Sequence, residues 1–377
     1  MIPIAIGFLW LLFRTTQSHK RQQSTLSSEY FKGLNYLLND EQGKALDIFV
    51  KLVESNWDTI DTHFALGKIY RKNGEMDKAI KIHQGLIARP SLPEQYRCQI
   101  LLELGYDYLG AGWFDRAEGL FKEVLIQDKK SKEARHNLIL IYQQEKDWYK
   151  AIEIAADLYA ENKPVVGPMI AHYYCELADI SKNKGDISQL LNNANKALEY
   201  DVNCVRATIL LADQERSTGE YAKAIKLYQG VEKQDVESMI LVIDALLECY
   251  EKLGQQDKSY EYLVALQDRH ENLFLQNVIA SELEKLQGRK AAIEYLSDKV
   301  KRQPSLSGLQ KLISYKEKES ACSDEYADLA VAISAMQKDN VEYRCQKCGF
   351  SSNTHYWLCP SCHHWGRVKP SVIELDS

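Results

Sequence analysis

The chain has 377 residues, 45% of them hydrophobic and 27% charged, with a net charge of −6. That length accommodates two or more structural units, and that composition is ordinary for a soluble globular protein. The acidic balance speaks against general nucleic-acid binding, which needs a basic surplus.

Residues 2–13 are an uncharged apolar run, closed by Arg14 and followed by His19, Lys20 and Arg21. As a helix the run spans ~18 Å, short of the ~30 Å of a bilayer core, and snorkelling of Arg14 extends its reach. No basic residue precedes it and no small-residue cleavage site follows, which disfavours a cleaved signal. The reading is an N-terminal membrane anchor helix over residues 1–18, with the flanking positive charge holding the body on the cytoplasmic side. Residues 19–28, rich in Ser and Gln, read as a polar linker.

From residue 29 the chain repeats itself. Small residues recur as Ala45, Ala79, Ala117, Ala151 and Ala224, with Leu190 in the long gap, and Ser259 and Ala292 continue the column. A second column runs Gly33, Gly67, Gly105, Ile139, Ala178 and Ala212, and a third Tyr36, Tyr70, Tyr108 and Tyr142. A fourth, Gly74, Gly112, Gly185, Gly219 and Gly254, marks a turn. The base spacing is 34 residues. It lengthens by four or five residues across Pro90–Pro93 and Pro164–Pro168, where proline is expected to separate one helical pair from the next, and elsewhere stays within one residue of 34. A helix–turn–helix unit cannot bury its apolar face alone, so such units stack. The segments Leu66-Gly67-x-x-Tyr70…Gly74…Ala79 and Leu104-Gly105-x-x-Tyr108…Gly112…Ala117…Phe121 resemble the tetratricopeptide repeat family. The expected fold is therefore an all-α α-solenoid over residues 29–315, with about eight units and a binding surface for a peptide or protein. Which residues touch a partner is not legible.

Residues 316–322 break the period. Ser323 then caps a stripe formed by Tyr326, Leu329, Ala330, Ile333 and Met336, read as a helix over 323–337 docked on the last repeat.

The last motif carries chemistry. Cys345-x-x-Cys348-Gly349 and Cys359-Pro-x-Cys362 are two thiol pairs ten residues apart, each able to form a tight turn that aims two sulfurs at one point. Four such thiolates make a tetrahedral site for zinc or iron. The other cysteines, Cys98, Cys175, Cys204, Cys249 and Cys322, are scattered singly, which fits a reducing compartment and small buried side chains. Residues 341–373 are too few for an adequate core, so the metal supplies folding energy. Tyr343, Phe350, Tyr356, Trp357 and Trp365 are read as that unit's own small core, and His355, His363 and His364 as neighbours of the site rather than ligands. No phosphate-cradling loop, nucleophile elbow or zincin helix occurs, and a closed tetrathiolate leaves no position for substrate, so an enzyme is not expected.

Tyr343-x-Cys-x-x-Cys-Gly-Phe350 and Cys359-Pro-x-Cys362 are similar to the knuckles of rubredoxin, except that His363 stands where rubredoxin has Gly. The order of an anchor, a tetratricopeptide array and then Tyr356-Trp-x-Cys-Pro-Ser-Cys…Trp365…Lys369-Pro370 resembles the lipopolysaccharide assembly protein B family of Gram-negative bacteria. The resemblance implies a single-pass protein of the cell inner membrane with a rubredoxin-like domain that binds one iron ion, zinc being the other candidate. It implies Cys345, Cys348, Cys359 and Cys362 as the ligands. It further implies an adaptor that promotes proteolysis of the lipid A biosynthetic deacetylase by the FtsH-type membrane protease and scaffolds other lipopolysaccharide transport and assembly proteins. A rubredoxin-type redox carrier and a zinc-ribbon nucleic-acid binder, the latter resting on Arg344, Lys347, Arg367 and Lys369, stand as alternatives; no nucleic acid is expected.

Overall fold

The computed structural model of the chain describes residues 28–39, 41–55, 60–90, 92–270, 273–319, 333 and 343–370. The anchor (1–18), the linker up to residue 27 and the 323–337 helix, apart from helical Ile333, lie outside these residues. No helix among the described residues is long and apolar enough to cross a membrane. The chain divides into two compact units, Met1–Ala155 and Ala156–Ser377.

Within the first unit, helices α1 (28–38) and α2 (Gln42–Ser55), α3 (Ile60–Lys72) and α4 (Met76–Ile87), and α5 (Glu94–Gly110) and α6 (Phe114–Gln127) follow in pairs, then α7 (Lys132–Glu145) and α8 (Trp148–Tyr159), whose last residues enter the second unit. The second unit continues with α9 (Lys163–Asn183) and α10 (Ile187–Tyr200), then α11 (Val205–Ser217) and α12 (Tyr221–Gln234). After a 3-10 helix, Val236–Leu241, come α13 (Ile243–Lys252) and α14 (Gln256–His270), α15 (Leu273–Gln287) and α16 (Arg289–Arg302), and finally α17 (Leu306–Glu319).

The columns explain the pairing. Ala45, Ala79, Ala117, Ala151, Leu190, Ala224, Ser259 and Ala292 are all buried. The second column meets a residue sixteen positions on. A Cβ on Gly67 would lie 2.4 Å from the His83 ring, and one on Gly105 2.6 Å from Phe121, so these glycines are the space into which the large ring fits. Where the first helix carries Ile139, the matching position is Ala155, and both are buried. Volume is thus conserved across the pair while its distribution changes.

The turn glycines close each pair with a Schellman motif. Gly74, Gly112, Gly185, Gly219 and Gly254 all have φ between 63° and 81°. The next residue's N–H returns to a carbonyl near the end of the first helix, as in Glu75 to Tyr70 and Trp113 to Tyr108, both 2.8 Å. In the α7–α8 turn the same place is held by Lys146 at φ 58°, with Asp147 N–H donating to Tyr142 at 2.8 Å. The tyrosine column also ties successive pairs together: Gln84 donates to the Tyr108 hydroxyl at 2.7 Å, and the Tyr142 hydroxyl donates to Glu118 at 2.8 Å.

One expectation fails at a proline. Pro164–Pro168 does not separate two helices; it lies inside α9, with Pro164 in the first turn, where no N–H is needed, and Pro168 one turn later. The extra residues therefore lengthen α9 to 21 residues. Pro93, by contrast, is the extended N-cap of α5, as a separator should be.

A three-stranded antiparallel sheet ends the described chain, in the order β2-β1-β3, with β1 Tyr343–Cys345, β2 Ser351–Ser352 and β3 Val368–Pro370.

Candidate metal centre

The two Cys-x-x-Cys turns are built alike. Cys345 N–H donates to the Phe350 carbonyl at 2.7 Å and Gly349 N–H to Cys345 at 2.9 Å; in the second turn Cys359 N–H donates to His364 at 3.0 Å and His363 N–H to Cys359 at 2.9 Å. Each turn then needs a left-handed residue in the position after its second cysteine. Gly349 supplies it at φ 78° and His363 at φ 53°. A non-glycine residue there costs roughly 1–2 kcal/mol, although His is among the side chains that tolerate the region best. The departure from rubredoxin noted in the sequence is therefore a change of residue without a change of backbone.

These turns bring all four sulfurs within 4.8 Å of one another. Cys345 and Cys362 are 3.7 Å apart, as are Cys348 and Cys359, and none is in a disulfide. A tetrahedron of thiolates bound to zinc has edges of about 3.8 Å, since the metal–sulfur bond is about 2.3 Å. The four residues are therefore positioned to bind a metal ion. Backbone N–H groups of Phe350 and His364 point at the Cys348 and Cys362 sulfurs. The Phe350 N–H draws the Cys348 thiol down to about 7, whereas burial pushes Cys362 up to about 12. Four thiolates this close cannot all ionise in isolation, so a cation has to displace the last protons. The three histidines contribute no ligand: His364 Nδ1 lies 2.7 Å from the Cys362 carbonyl, His355 packs edge-on to Trp357 at 4.5 Å, and His363 is exposed.

The knuckle's own core is smaller than the sequence suggested. It comprises Cys345, Cys359 and Val368, with Tyr343, Phe350 and Cys362 against them. Trp357 and Trp365 belong elsewhere. Trp365 stacks on His172 of α9, with centroids 5.0 Å apart and planes at 15°, and meets Tyr173 edge-on at 5.9 Å. Trp357 lies 6.0 Å from the same imidazole and packs against the core formed by α11 to α15. Tyr356, 39% exposed, stays with the knuckle and meets Phe350 edge-on at 6.3 Å. The reason is one of area: about thirty residues cannot enclose two indoles, so the indoles are buried against the repeats. Burial, then the nearby charges of Arg206, Lys369 and His355, hold the His172 imidazole down to about 3, so it stacks as a neutral ring.

A charged contact completes the docking. Lys369 of β3 is ion-paired with Asp235, the cap of the 3-10 helix, and β3 lies alongside that helix. Burial would raise the Asp235 carboxyl, but hydrogen bonds from Lys369 and Ser238 outweigh it and hold the group below its ordinary value. The partners His172, Tyr173 and Asp235 had no signature in the sequence; the one available signal was a surplus of aromatic residues in a unit too small to hold them. Beside this contact, Cys175 and Cys204, far apart in the chain, sit with sulfurs 3.7 Å apart in a buried cluster.

Comparison with known proteins agrees with these parts. A family model described as a rubredoxin metal binding domain matches residues 343–370, and tetratricopeptide repeat models match 62–94 and 102–165. Over 381 residues the chain is 32% identical to lipopolysaccharide assembly protein B of Escherichia coli strain K12, covering 100% of this chain and 98% of the relative. It is 28% identical over 386 residues to the Haemophilus influenzae protein of the same name, covering 98% and 96%. Among solved structures, that of Naa15/Naa10 bound to HypK-THB aligns over 82% of this chain and 46% of the other at 13% identity, with a TM-score of 0.42, too loose a likeness to build on.

Proposed function

The chain belongs to the lipopolysaccharide assembly protein B family, and on that footing we propose that it serves lipopolysaccharide assembly as a membrane-tethered adaptor, not as an enzyme. The observation that carries this reading is the docking of a metal-ready tetrathiolate knuckle onto helix repeats, in a chain alignable end to end with proteins of that name. Repeats present contact surface, and a closed tetrathiolate offers structure in place of an open coordination position.

In this reading residues 1–18 hold the chain in the inner membrane with its body in the cytoplasm, which raises the local concentration of bound partners beside a membrane protease. The partners are the FtsH-type protease, the lipid A biosynthetic deacetylase and other lipopolysaccharide assembly proteins. Adaptor binding promotes proteolysis of the deacetylase. Cys345, Cys348, Cys359 and Cys362 hold one ion, iron by likeness to rubredoxin, with zinc equally suited to four sulfurs. The domains run as 1–18, 19–28, 29–315, 323–337 and 341–373.

The test is the half-life of the deacetylase in cells depleted of this protein, then complemented with the native chain or with Cys345→Ser/Cys348→Ser. Depletion lengthens the half-life and only the native chain restores it. A half-life indifferent to depletion would refute the adaptor role. Crosslinked recovery of the protease from membranes, with metal analysis of the same preparation, identifies the partner and the ion.

A further inference from the structure

From Tyr343 to Pro370 the knuckle contains Arg344, Lys347, Arg367 and Lys369 and no Asp or Glu, in a chain whose net charge is −6. The ladder places these cations together. Cys345 and Val368 are cross-strand partners and buried, so they share the inner face. Arg344 pairs with Lys369 one step along, and strand alternation puts both on the outer face. The Gln346 N–H donates to the Arg367 carbonyl at 2.8 Å, which extends the ladder by a step and returns Arg367 to that outer face. Arg344 and Arg367 are then diagonal neighbours, about 7–8 Å apart at the backbone. Arg344, Lys347 and Arg367 are exposed, while Lys369 already holds the Asp235 carboxylate.

We propose that this outer face of the β1–β3 ladder docks an acidic segment of a partner protein, with Arg344 and Arg367 as its anchors. The face receives one carboxylate within the chain, at Lys369, and offers two guanidinium forks beside it. Guanidinium binds carboxylate with two parallel hydrogen bonds, a geometry lysine cannot supply. The cations exceed what the metal centre needs, since a divalent ion with four thiolates carries two negative charges and Cys345 points to the other face. A lipid surface is a poorer match, because headgroup-binding clusters have four to eight cations and only three are exposed here. The inference rests on the adaptor reading and gives one of its partners a chemistry. Its test is separate, because an adaptor that grips its partners elsewhere would still shorten the deacetylase half-life while failing the binding assay below.

The experiment measures fluorescence anisotropy of a labelled short polyglutamate peptide with the full-length, metal-loaded chain. Polyglutamine, phosphatidylglycerol-containing vesicles and a single-stranded oligonucleotide serve as competitors. Polyglutamate is expected to bind at low salt, to weaken as salt rises, and to lose about tenfold or more in affinity in Arg344→Glu/Arg367→Glu, as loss of charge-assisted pairs requires. Arg344→Gln/Arg367→Gln is the milder variant should charge reversal impair folding, and it is expected to lose affinity while retaining its metal. Absence of polyglutamate binding by the native chain overturns the proposal, as does affinity unchanged by either double variant. Stronger competition by the vesicles or the oligonucleotide overturns it in favour of those ligands. Metal loss in the glutamine variant assigns the arginines to the cluster instead.

Discussion

Truncating Trp365 tests whether the knuckle is held to the repeats by the contact described. The indole stacks on His172 and meets Tyr173 edge-on, at 5.0 and 5.9 Å between centroids. A tryptophan contributes about 150–250 Å² of contact, and at about 25 cal/mol per Å² its complete removal would cost about 4 kcal/mol or more. Trp365 keeps some exposure and Ala retains part of the contact, so about 2–3 kcal/mol of docking free energy is the expected loss in Trp365→Ala. At about 1.4 kcal/mol per tenfold, this lowers the docked-to-undocked ratio by a factor of about 30–150. The cysteines and the knuckle's own core are untouched, so metal content is expected to stay at the native ratio. Hydrogen exchange followed by mass spectrometry is the assay: amides of α9 and of Val236–Leu241 are expected to lose protection, while those of α2 to α7 keep it. Native protection across α9 in a folded, metal-loaded variant would refute the reasoning, because it would mean that the stacked rings carry no docking energy.

Gly67→Ala and Gly105→Ala are each expected to destabilise the array by about 1–3 kcal/mol, because the new methyl meets a buried ring. Gly119→Ala, on α6 with open space around it, is expected to stabilise by about 0.5–1 kcal/mol. Urea unfolding of the three variants decides, and equal effects would dismiss the small-to-large packing account. Loss of the Asp235–Lys369 pair with acid follows from the lowered Asp235 carboxyl. Its contribution is complete above the ordinary aspartate value of about 3.9 and disappears as pH falls through the lower folded value, so Asp235→Asn is expected to remove a docking step on the acid side of that range. An identical acid profile for docking in both proteins would contradict it. His363→Gly relieves a left-handed residue and is expected to slow metal loss to a chelator by about twofold, whereas Gly349→Ala is expected to speed it by about fivefold or more. The opposite order would show that the turns do not set metal retention. Double replacement of Cys345 and Cys348 by Ser is expected to abolish metal binding and release Trp365 from α9, read by the same exchange experiment; an unaltered pattern would separate docking from the metal.

The repeat was legible because its packing is written in small residues at fixed positions. Ala79, Ala117 and Ala151 are buried where the spacing put them, and Gly74 and Gly112 have the left-handed backbone a turn requires. The four cysteines were equally plain, since their spacing alone brings the sulfurs together. Pro168 misled because α9 runs through it, giving up the one N–H bond that its position would have returned to the Pro164 carbonyl. Trp357 and Trp365 misled because local sequence cannot say whether an indole faces its own unit or one more than a hundred residues away. The meeting of Cys175 with Cys204 was hidden for the same reason: it depends on how α9 packs beside the start of α11.

The lysine of β3 reaches a carboxylate 134 residues earlier. Elsewhere each helix leans on close neighbours in the chain, and arrays of that kind unzip from their loose end. Here the last strand is tied back to the 3-10 helix that precedes α13, so α13 to α17 lie inside a closed circuit of chain. Fixing so long a circuit carries a loop-closure cost that grows only slowly with its length. Local helix pairing is therefore expected to finish first, with the tie drawn last. Until it is drawn, a newly made chain displays the indoles of Trp357 and Trp365 that the repeats later cover.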